Sequence, residues 1–117
     1  MTGKGARNKG LNYERKIRRE FIDLGFTACN TSRYESKKVD DSKVDLCNTE
    51  PFNIQCKAVE TGINYNKLLA EMPKDENYNI VLHKRNRKEI AVLSKSDFME
   101  LVEILIVNKV IKVNTVI

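Results

Sequence analysis

The sequence predicts an α/β fold in which a central mixed β-sheet is flanked by helices. Three observations support this class. An amphipathic helical pattern lies near the N-terminus, short segments of alternating apolar residues follow it, and two further helical patterns accompany the later strands. A chain of 117 residues can bury one core, so we expect residues 1–117 to form a single domain.

The most regular predicted element is a helix from Leu11 to Leu24. Gly25 follows it at the position of a C-terminal cap. Residues 1–9 have no helical periodicity and carry two glycines, so they are predicted to form a mobile basic arm. The apolar residues of the helix recur at helical spacing: Tyr13, Ile17, Phe21 and Leu24.

Short strands are predicted to follow the first helix. Residues 26–30 have the pattern of one strand, residues 31–43 that of a polar loop, and 44–47 and 52–58 that of two strands joined by a turn. Alternation puts Phe52, Ile54 and Cys56 on one apolar face, and Gln55 and Lys57 on the other. If Leu46 lies opposite Ile54, then Asp45 lies opposite Gln55.

The second half of the chain adds two helices and two strands. Helical spacing predicts a helix over residues 65–72, stopped by Pro73, and strands are predicted over 78–83 and 89–93 around a basic turn. Residues 94–96 offer a cap for a helix over 97–107. Residues 110–117 are predicted to form a last strand or to extend that helix. The inward residues of the 97–107 helix are predicted to be Phe98, Leu101, Val102 and Leu105.

Basic residues are concentrated at the N-terminus. Residues 1–20 hold seven basic side chains and two acidic ones, which accounts for the whole net charge of +5. Such a block beside a neutral domain is typical of polyanion binding, although a solvated helix face has the same composition. The candidate DNA-binding residues are Arg7, Lys9 and Arg15, with Arg33, Lys37, Lys38 and Lys43 in the polar stretch before Asp45.

Several functional classes are disfavoured by composition. The three cysteines form no C-x-x-C pair, so neither a disulfide framework nor a zinc site is expected. The N-terminal residues lack the apolar stretch of a signal peptide, and the sequence has no run long enough to span a membrane and no glycine-rich phosphate loop. The expectation is a cytoplasmic protein with no membrane and no nucleotide cofactor.

Asp45, Gln55 and Lys57 form a pattern suited to metal-assisted phosphodiester hydrolysis. Magnesium prefers hard oxygen ligands, and a nearby lysine can orient water or stabilise developing charge. Asp45 would be the main ligand, with the Cys56 backbone carbonyl as a further one, and Glu14 would enter from the first helix. Glu20 is also close to the helix's apolar stripe, so periodicity alone does not choose between it and Glu14. Asp40 and Asp41 rival Asp45, although their polar surroundings favour solvated turn acids.

This arrangement resembles the PD-(D/E)XK nuclease superfamily, and within it the archaeal-type Holliday junction resolvases and their phage relatives. The residues that carry the resemblance are Gly10-x-x-x-Glu14-Arg15, Asp45 and Gln55-x-Lys57, in the family's order over roughly residues 7–94. The resemblance implies a restriction-endonuclease-like core and a homodimer that uses Mg²⁺ or Mn²⁺ to nick opposed strands of branched or junction DNA. For a phage-encoded enzyme of this kind, the location would be the host cytoplasm.

Gln55 departs from the usual family pattern, which has Glu or Asp at this position, although related nuclease branches use Gln. An amide oxygen can ligate a hard cation but brings no charge, so metal affinity should be lower. Two alternatives therefore stand beside a junction resolvase. One is another endonuclease of the same superfamily, of nicking, flap or restriction-like type, and the other is a catalytically silent DNA-binding protein.

Overall fold

The computed structural model describes residues 3–32 and 43–116 and confirms mixed α/β content. The strands form two sheets, an antiparallel pair of β1 and β2 and a mixed sheet in the order β3-β4-β5. In the mixed sheet β3 is parallel to β4, and β5 is antiparallel to β4. The elements are α1 (Gly3–Leu24), β1 (Asn30–Thr31), β2 (Leu46–Cys47), β3 (Phe52–Lys57), α2 (Tyr65–Glu71), β4 (Tyr78–Arg85), β5 (Lys88–Val92) and α3 (Lys95–Val107).

Helix α1 begins at Gly3, eight residues before the predicted start at Leu11. The mobile arm predicted over residues 1–9 is therefore wrong for residues 3–9. Lengthening an existing helix costs little, because each added residue gains one backbone hydrogen bond and no new nucleus is required. The lysine, arginine and alanine residues of this stretch also favour helix. Periodicity missed them because they contribute no apolar stripe.

Gly25 ends α1 as predicted. Its φ is 122°, a conformation that residues with a Cβ rarely adopt. The Gly25 N–H donates to the Ile22 carbonyl at 3.0 Å, and the Phe26 N–H donates to the Phe21 carbonyl at 2.9 Å. These are the two bonds of a Schellman cap. The rings of Phe21 and Phe26 meet edge to face, with centroids 5.2 Å apart, and reinforce it.

The strand predicted over residues 26–30 is largely a turn. The Cys29 N–H donates to the Phe26 carbonyl at 2.9 Å, so this backbone closes on itself and β1 is reduced to Asn30 and Thr31. Thr31 pairs with Leu46 and Asn30 with Cys47. The short β1 thus lies beside the chain that leads to Asp45.

The main core lies between α1 and the strands. Tyr13 and Ile17 of α1 are buried together with Leu46, Ile54 and Cys56. This confirms the predicted apolar face of β3. Leu24, expected in the same stripe, is exposed because it sits beside the cap at the end of the helix. Partly buried residues that complete this face include Phe21, Phe52, Ile80 and Leu82.

Helix α2 packs on the opposite face of the mixed sheet. His83 alternates with Leu82 along β4, so it points away from α1, and its ring is buried. Its Nδ1 lies 2.7 Å from the Tyr65 hydroxyl of α2, and its Nε2 lies 2.8 Å from the Val59 carbonyl. Because a carbonyl can only accept, Nε2 carries the hydrogen and Nδ1 of the neutral ring accepts from Tyr65. This link fastens α2 to the sheet.

The predicted hairpin of β4 and β5 is confirmed. Its tip is a two-residue turn in which Asn86 and Arg87 have φ values of 52° and 66°, as a type I′ turn requires. Ser94 then caps α3, its hydroxyl accepting from the Asp97 N–H at 3.1 Å.

The predicted inward face of α3 is confirmed only in part. No residue of the helix is buried, but Leu101 and Val102 are half-buried, whereas Phe98 and Leu105 are 51% and 39% exposed. Apolar residues surround much of this helix, so periodicity selects no single face. The described residues after it, 108–116, form neither a strand nor a longer helix, and most of their apolar side chains are exposed. Within residues 3–32 and 43–116, no helix has the length and apolar character needed to cross a membrane.

We expect Tyr65→Phe to lower the free energy of unfolding by about 1–3 kcal/mol, because it leaves the buried Nδ1 of His83 without a donor. Tyr78→Phe is the matched control. It removes a hydroxyl that donates to Glu100 at 2.9 Å, and the exposed Glu100 carboxylate can turn to water. Urea unfolding of the two variants measures the difference, and equal losses would contradict the role given to the His83 link.

Candidate active site

Asp45 joins the two sheets through three hydrogen bonds. Its carbonyl accepts from the Ser32 N–H at 2.8 Å, beside β1, and its own N–H donates to the Ile54 carbonyl of β3 at 2.7 Å. Its side-chain Oδ2 accepts from the Cys56 N–H at 2.7 Å. The half-buried Asp45 therefore holds its carboxylate against the edge of β3.

The register around Asp45 differs from the predicted one. The sequence placed Asp45 opposite Gln55, whereas its N–H bonds to Ile54, and β2 and β3 form no ladder in the described residues. The chain leaves the strand directly after Cys47. Asn48 has a φ of 63°, and the Phe52 N–H then closes a turn onto the Thr49 carbonyl at 2.9 Å.

The backbone of Cys56 faces the same edge. The N–H and C=O of one strand residue point to the same side, and those of its neighbours point to the other. Because the Cys56 N–H meets Asp45, the Cys56 carbonyl also points to the edge where Asp45 lies. This orientation is compatible with the prediction that the Cys56 carbonyl oxygen is a metal ligand.

Gln55 is buried, and its side-chain oxygen accepts no hydrogen bond from the described residues. The residue is only 6% exposed, and its Oε1 has no hydrogen-bond partner among the described residues. Such an oxygen costs about 1–3 kcal/mol when it is left unsatisfied. Ile54 and Cys56 face α1, so Gln55 extends from the opposite face, beside its register partner Val81. A cation would supply the missing partner.

Glu14 is distinguished from its rival by burial. Glu14 is 8% exposed, whereas Glu20 is exposed and lies 3.7 Å from the Lys16 ammonium. Burial raises the pKa of the Cys56 thiol, and the negative charges of Asp45 and Glu14 raise it further. Both carboxylates therefore lie near Cys56, which periodicity alone could not establish.

The predicted site residues approach β3 from different sides. Glu14 comes from the α1 face, Gln55 and Lys57 extend from the α2 face, and Asp45 lies at the edge between them. Half-buried Lys57 makes no ion pair with an acid in residues 3–32 or 43–116. Asp45 contacts Cys56 directly, and Glu14 lies close enough to raise the pKa of the same thiol. Among the described residues, neither Gln55 nor Lys57 forms a hydrogen bond or ion pair with Asp45.

The predicted site residues offer the donor type that a hard divalent cation prefers. No group of three or more His, Cys, Asp or Glu side chains that could hold a metal occurs in the described part of the chain. The set here consists of two carboxylates, an amide oxygen and a backbone carbonyl. All are oxygen donors, which Mg²⁺ and Mn²⁺ prefer, and the unpartnered Gln55 oxygen is the member that most needs a ligand.

The predicted DNA-binding residues have different surroundings. Lys9 forms an ion pair with Glu60, whose second oxygen accepts from the Asn86 N–H at 2.9 Å, so its charge is already engaged. Arg7, Arg15 and Lys43 are exposed. The other candidates, Arg33, Lys37 and Lys38, lie outside the described residues, as do the rival acids Asp40 and Asp41.

An amide network that the sequence did not reveal supports β3. Buried Asn53 donates from Nδ2 to Asp75 at 3.0 Å and to Asn79 at 2.8 Å, and its Oδ1 accepts from Asn77 at 3.3 Å. It ties the strand that carries Gln55 to β4, through Asn79, and to the segment between α2 and β4, through Asp75 and Asn77. Alternation marks Asn53 as a residue of the polar face, but its partners lie more than 20 residues downstream and have no local signal.

We expect Asp45→Ala to destabilise the fold by about 1–3 kcal/mol more than Asp45→Asn. The asparagine keeps an oxygen that can accept from the Cys56 N–H, whereas alanine leaves that donor without its partner at the joint between the sheets. Chemical unfolding of both variants measures this difference. Indistinguishable stabilities would show that the Asp45 side chain does not hold the joint.

Comparison of the chain with protein-family models, with curated proteins and with solved structures gives no match in any of the three. The function proposed for this protein therefore depends on its residues and their geometry.

Proposed function

We propose that this protein is a divalent-metal-dependent endodeoxyribonuclease with a restriction-endonuclease-like core, and that its substrate is the four-way DNA junction. One observation carries the proposal. The Asp45 carboxylate is fixed on the Cys56 N–H, at the edge of the strand whose buried Gln55 oxygen has no partner among the described residues. The order of α1, three strands, α2 and a further strand also suits such a core.

Asp45 and Gln55 are the proposed ligands of the cation. A bound Mg²⁺ or Mn²⁺ would supply the positive charge that activates water and stabilises a phosphodiester transition state. The bond from the Cys56 N–H fixes the orientation of the Asp45 carboxylate before any metal arrives. The Cys56 carbonyl, directed to the same edge, is the third proposed donor.

Lys57 and Glu14 are assigned supporting roles. Lys57 lies two residues after Gln55 on the same face of β3, where its ammonium can orient water or stabilise charge on the phosphate. Glu14 reaches the same strand from α1 and is a candidate for a second or water-mediated contact with the metal.

Recognition of branched DNA would depend on shape and backbone charge. The exposed arginines of α1, such as Arg7 and Arg15, contact phosphates in this proposal, and recognition does not require a helix that reads base edges. The same chemistry would serve a nicking, flap or restriction-like nuclease. Only substrate preference separates these enzymes from a junction resolvase.

A second copy of the chain is the proposed partner. A junction cut on two strands requires two active sites, and a two-fold homodimer provides them. Helix α3 and the residues that follow it offer an apolar surface for this contact. Its most exposed residues are Phe98, Met99, Val107, Val110 and Val116.

We expect the protein to cleave a synthetic four-way junction in the presence of Mg²⁺ or Mn²⁺, and to prefer it over flap, nicked and plain duplexes. Asp45→Asn should lower the rate by about 10²-fold or more, the scale on which loss of one charge-stabilising group acts. Rates on the four substrates, with Lys95→Gln on exposed α3 as the control variant, measure this. Salt-sensitive binding without cleavage by any divalent metal would identify a silent DNA-binding protein instead.

Gln55→Glu tests the metal site without relying on activity. The variant places another carboxylate in a buried position near Asp45, so we expect a lower melting temperature than the wild type in EDTA. Mg²⁺ should then raise the melting temperature of the variant more than that of the wild type, because the added charge strengthens binding to the folded state. Adding Asp45→Asn to this variant should reduce the response. An equal Mg²⁺ response in wild type and Gln55→Glu would exclude Gln55 from the metal site.

A further inference from the structure

Helix α1 presents three arginines to a cleft beside β1. The cleft has a volume of about 480 Å³ and is lined by Arg15, Arg18, Arg19, Asn30 and Thr31. Arg18 and Arg19 lie three and four residues after Arg15, which places all three on one side of the helix. No acidic residue of the described chain lines this cleft.

Two lysines of the same helix have a different environment. Lys9 pairs with Glu60, and the Lys16 ammonium lies 2.5 Å from Glu89. The arginines make no ion pair with an acid in residues 3–32 or 43–116. Among the described residues, acids therefore compensate the positive charge of α1 next to Lys9 and Lys16 but not next to the cleft.

Arg18 is oriented by the backbone. Its Nε donates to the Cys29 carbonyl at 3.1 Å, which fixes the guanidinium between α1 and the start of β1. A guanidinium held in this way loses less conformational freedom when an anion binds to its remaining N–H groups.

Thr31 supplies a second, independent observation. The residue is only 3% exposed, and its hydroxyl has no hydrogen-bond partner among the described residues. Its backbone N–H is already used, since it donates to the Asn30 side-chain oxygen at 2.9 Å. A buried hydroxyl without a partner is unfavourable, and an oxyanion in the cleft would accept its hydrogen.

The position of the cleft relates it to the candidate active site. Thr31 pairs with Leu46, the residue directly after Asp45, and the Ser32 N–H donates to the Asp45 carbonyl. One strand spacing, roughly 5 Å, therefore separates the wall of the cleft from the chain that carries Asp45. Guanidinium groups and a hydroxyl together suit the several oxygens of a phosphate.

We propose that this arginine cleft binds a backbone phosphate of the nucleic acid, adjacent to the phosphate that would be cut at Asp45. The proposal rests on the nuclease function proposed above, and it adds a defined subsite that positions the DNA strand. The cleft is open and larger than a free anion needs, so a continuous phosphodiester chain can pass through it.

The test is a titration of the full chain followed by amide and arginine Nε resonances in NMR spectra, without divalent metal. Inorganic phosphate and a short single-stranded oligothymidylate are the two probes. We expect both to shift the signals of Thr31 and Arg19, with the oligothymidylate binding more tightly. Arg19→Gln and Thr31→Val should each weaken oligothymidylate binding by about tenfold, as expected for loss of one charge-assisted hydrogen bond.

Two controls separate the cleft from general charge and from misfolding. Lys16→Gln removes the same charge from the same helix on the acid-paired side, so binding should change much less. Thr31→Val removes a hydroxyl that has no partner among the described residues, so its melting temperature should equal or exceed that of the wild type. Equal weakening by Lys16→Gln and Arg19→Gln, or no shift at Thr31 with oligothymidylate, would overturn the proposal.

The outcomes distinguish this proposal from the proposed function. Junction cleavage that is unchanged by Arg19→Gln and Thr31→Val would leave the nuclease in place and reject the cleft. Oligothymidylate binding that is localised to Thr31 and Arg19, in a protein that cleaves no DNA with any divalent metal, would support the cleft and reject the nuclease.

Discussion

The hydrogen bonds of Asp45 are the constraint on which the rest of the molecule depends. Its backbone links the short β1–β2 pair to β3, and its carboxylate takes a place that a backbone carbonyl would occupy in a continuous sheet. The edge of β3, the cleft beside β1 and the Glu14 side chain all lie close to this one residue. A side chain that maintains architecture in this way is also rigidly oriented, as a metal ligand must be.

The neutral side chain of Gln55 has a physical rationale in this setting. Asp45 and Glu14 already place two negative charges near the buried Cys56 thiol, and a third carboxylate would add repulsion in a region that water enters poorly. An amide avoids that cost in the metal-free fold. As a consequence, Gln55 Oε1 has no hydrogen-bond partner among the described residues, and its electrostatic attraction for a cation is weaker than that of a carboxylate. If the proposed metal site exists, the stability of the metal-free fold and the affinity for the metal oppose each other at this position.

Local sequence patterns predicted most of the helices and strands, but they could not predict contacts between residues that are far apart in the sequence. Gly25 and Ser94 mark helix ends within a few residues, and the alternation of Phe52, Ile54 and Cys56 identifies the face packed on α1. The sequence could pair Asp45 with β3 but could not give the register, which depends on the turn geometry after Cys47. Nor could it show that Glu14 and Gln55 approach from opposite faces, because that depends on where α1 packs. The link between Tyr65 and His83, 18 residues apart, likewise has no local pattern.

Helix α3 has no buried residue, so packing in the core places little constraint on which residues it contains. Random substitution would be expected to replace exposed leucine, isoleucine and valine with polar residues at little cost to folding, and to improve solubility as it did so. The packing of the single chain therefore does not account for the mostly apolar composition of this helix. In descendants of this sequence, the rate of amino-acid substitution along α3 would reflect constraints from contacts outside the core. The rate of substitution at the buried residues Tyr13 and Ile54 would reflect only the constraint of the fold.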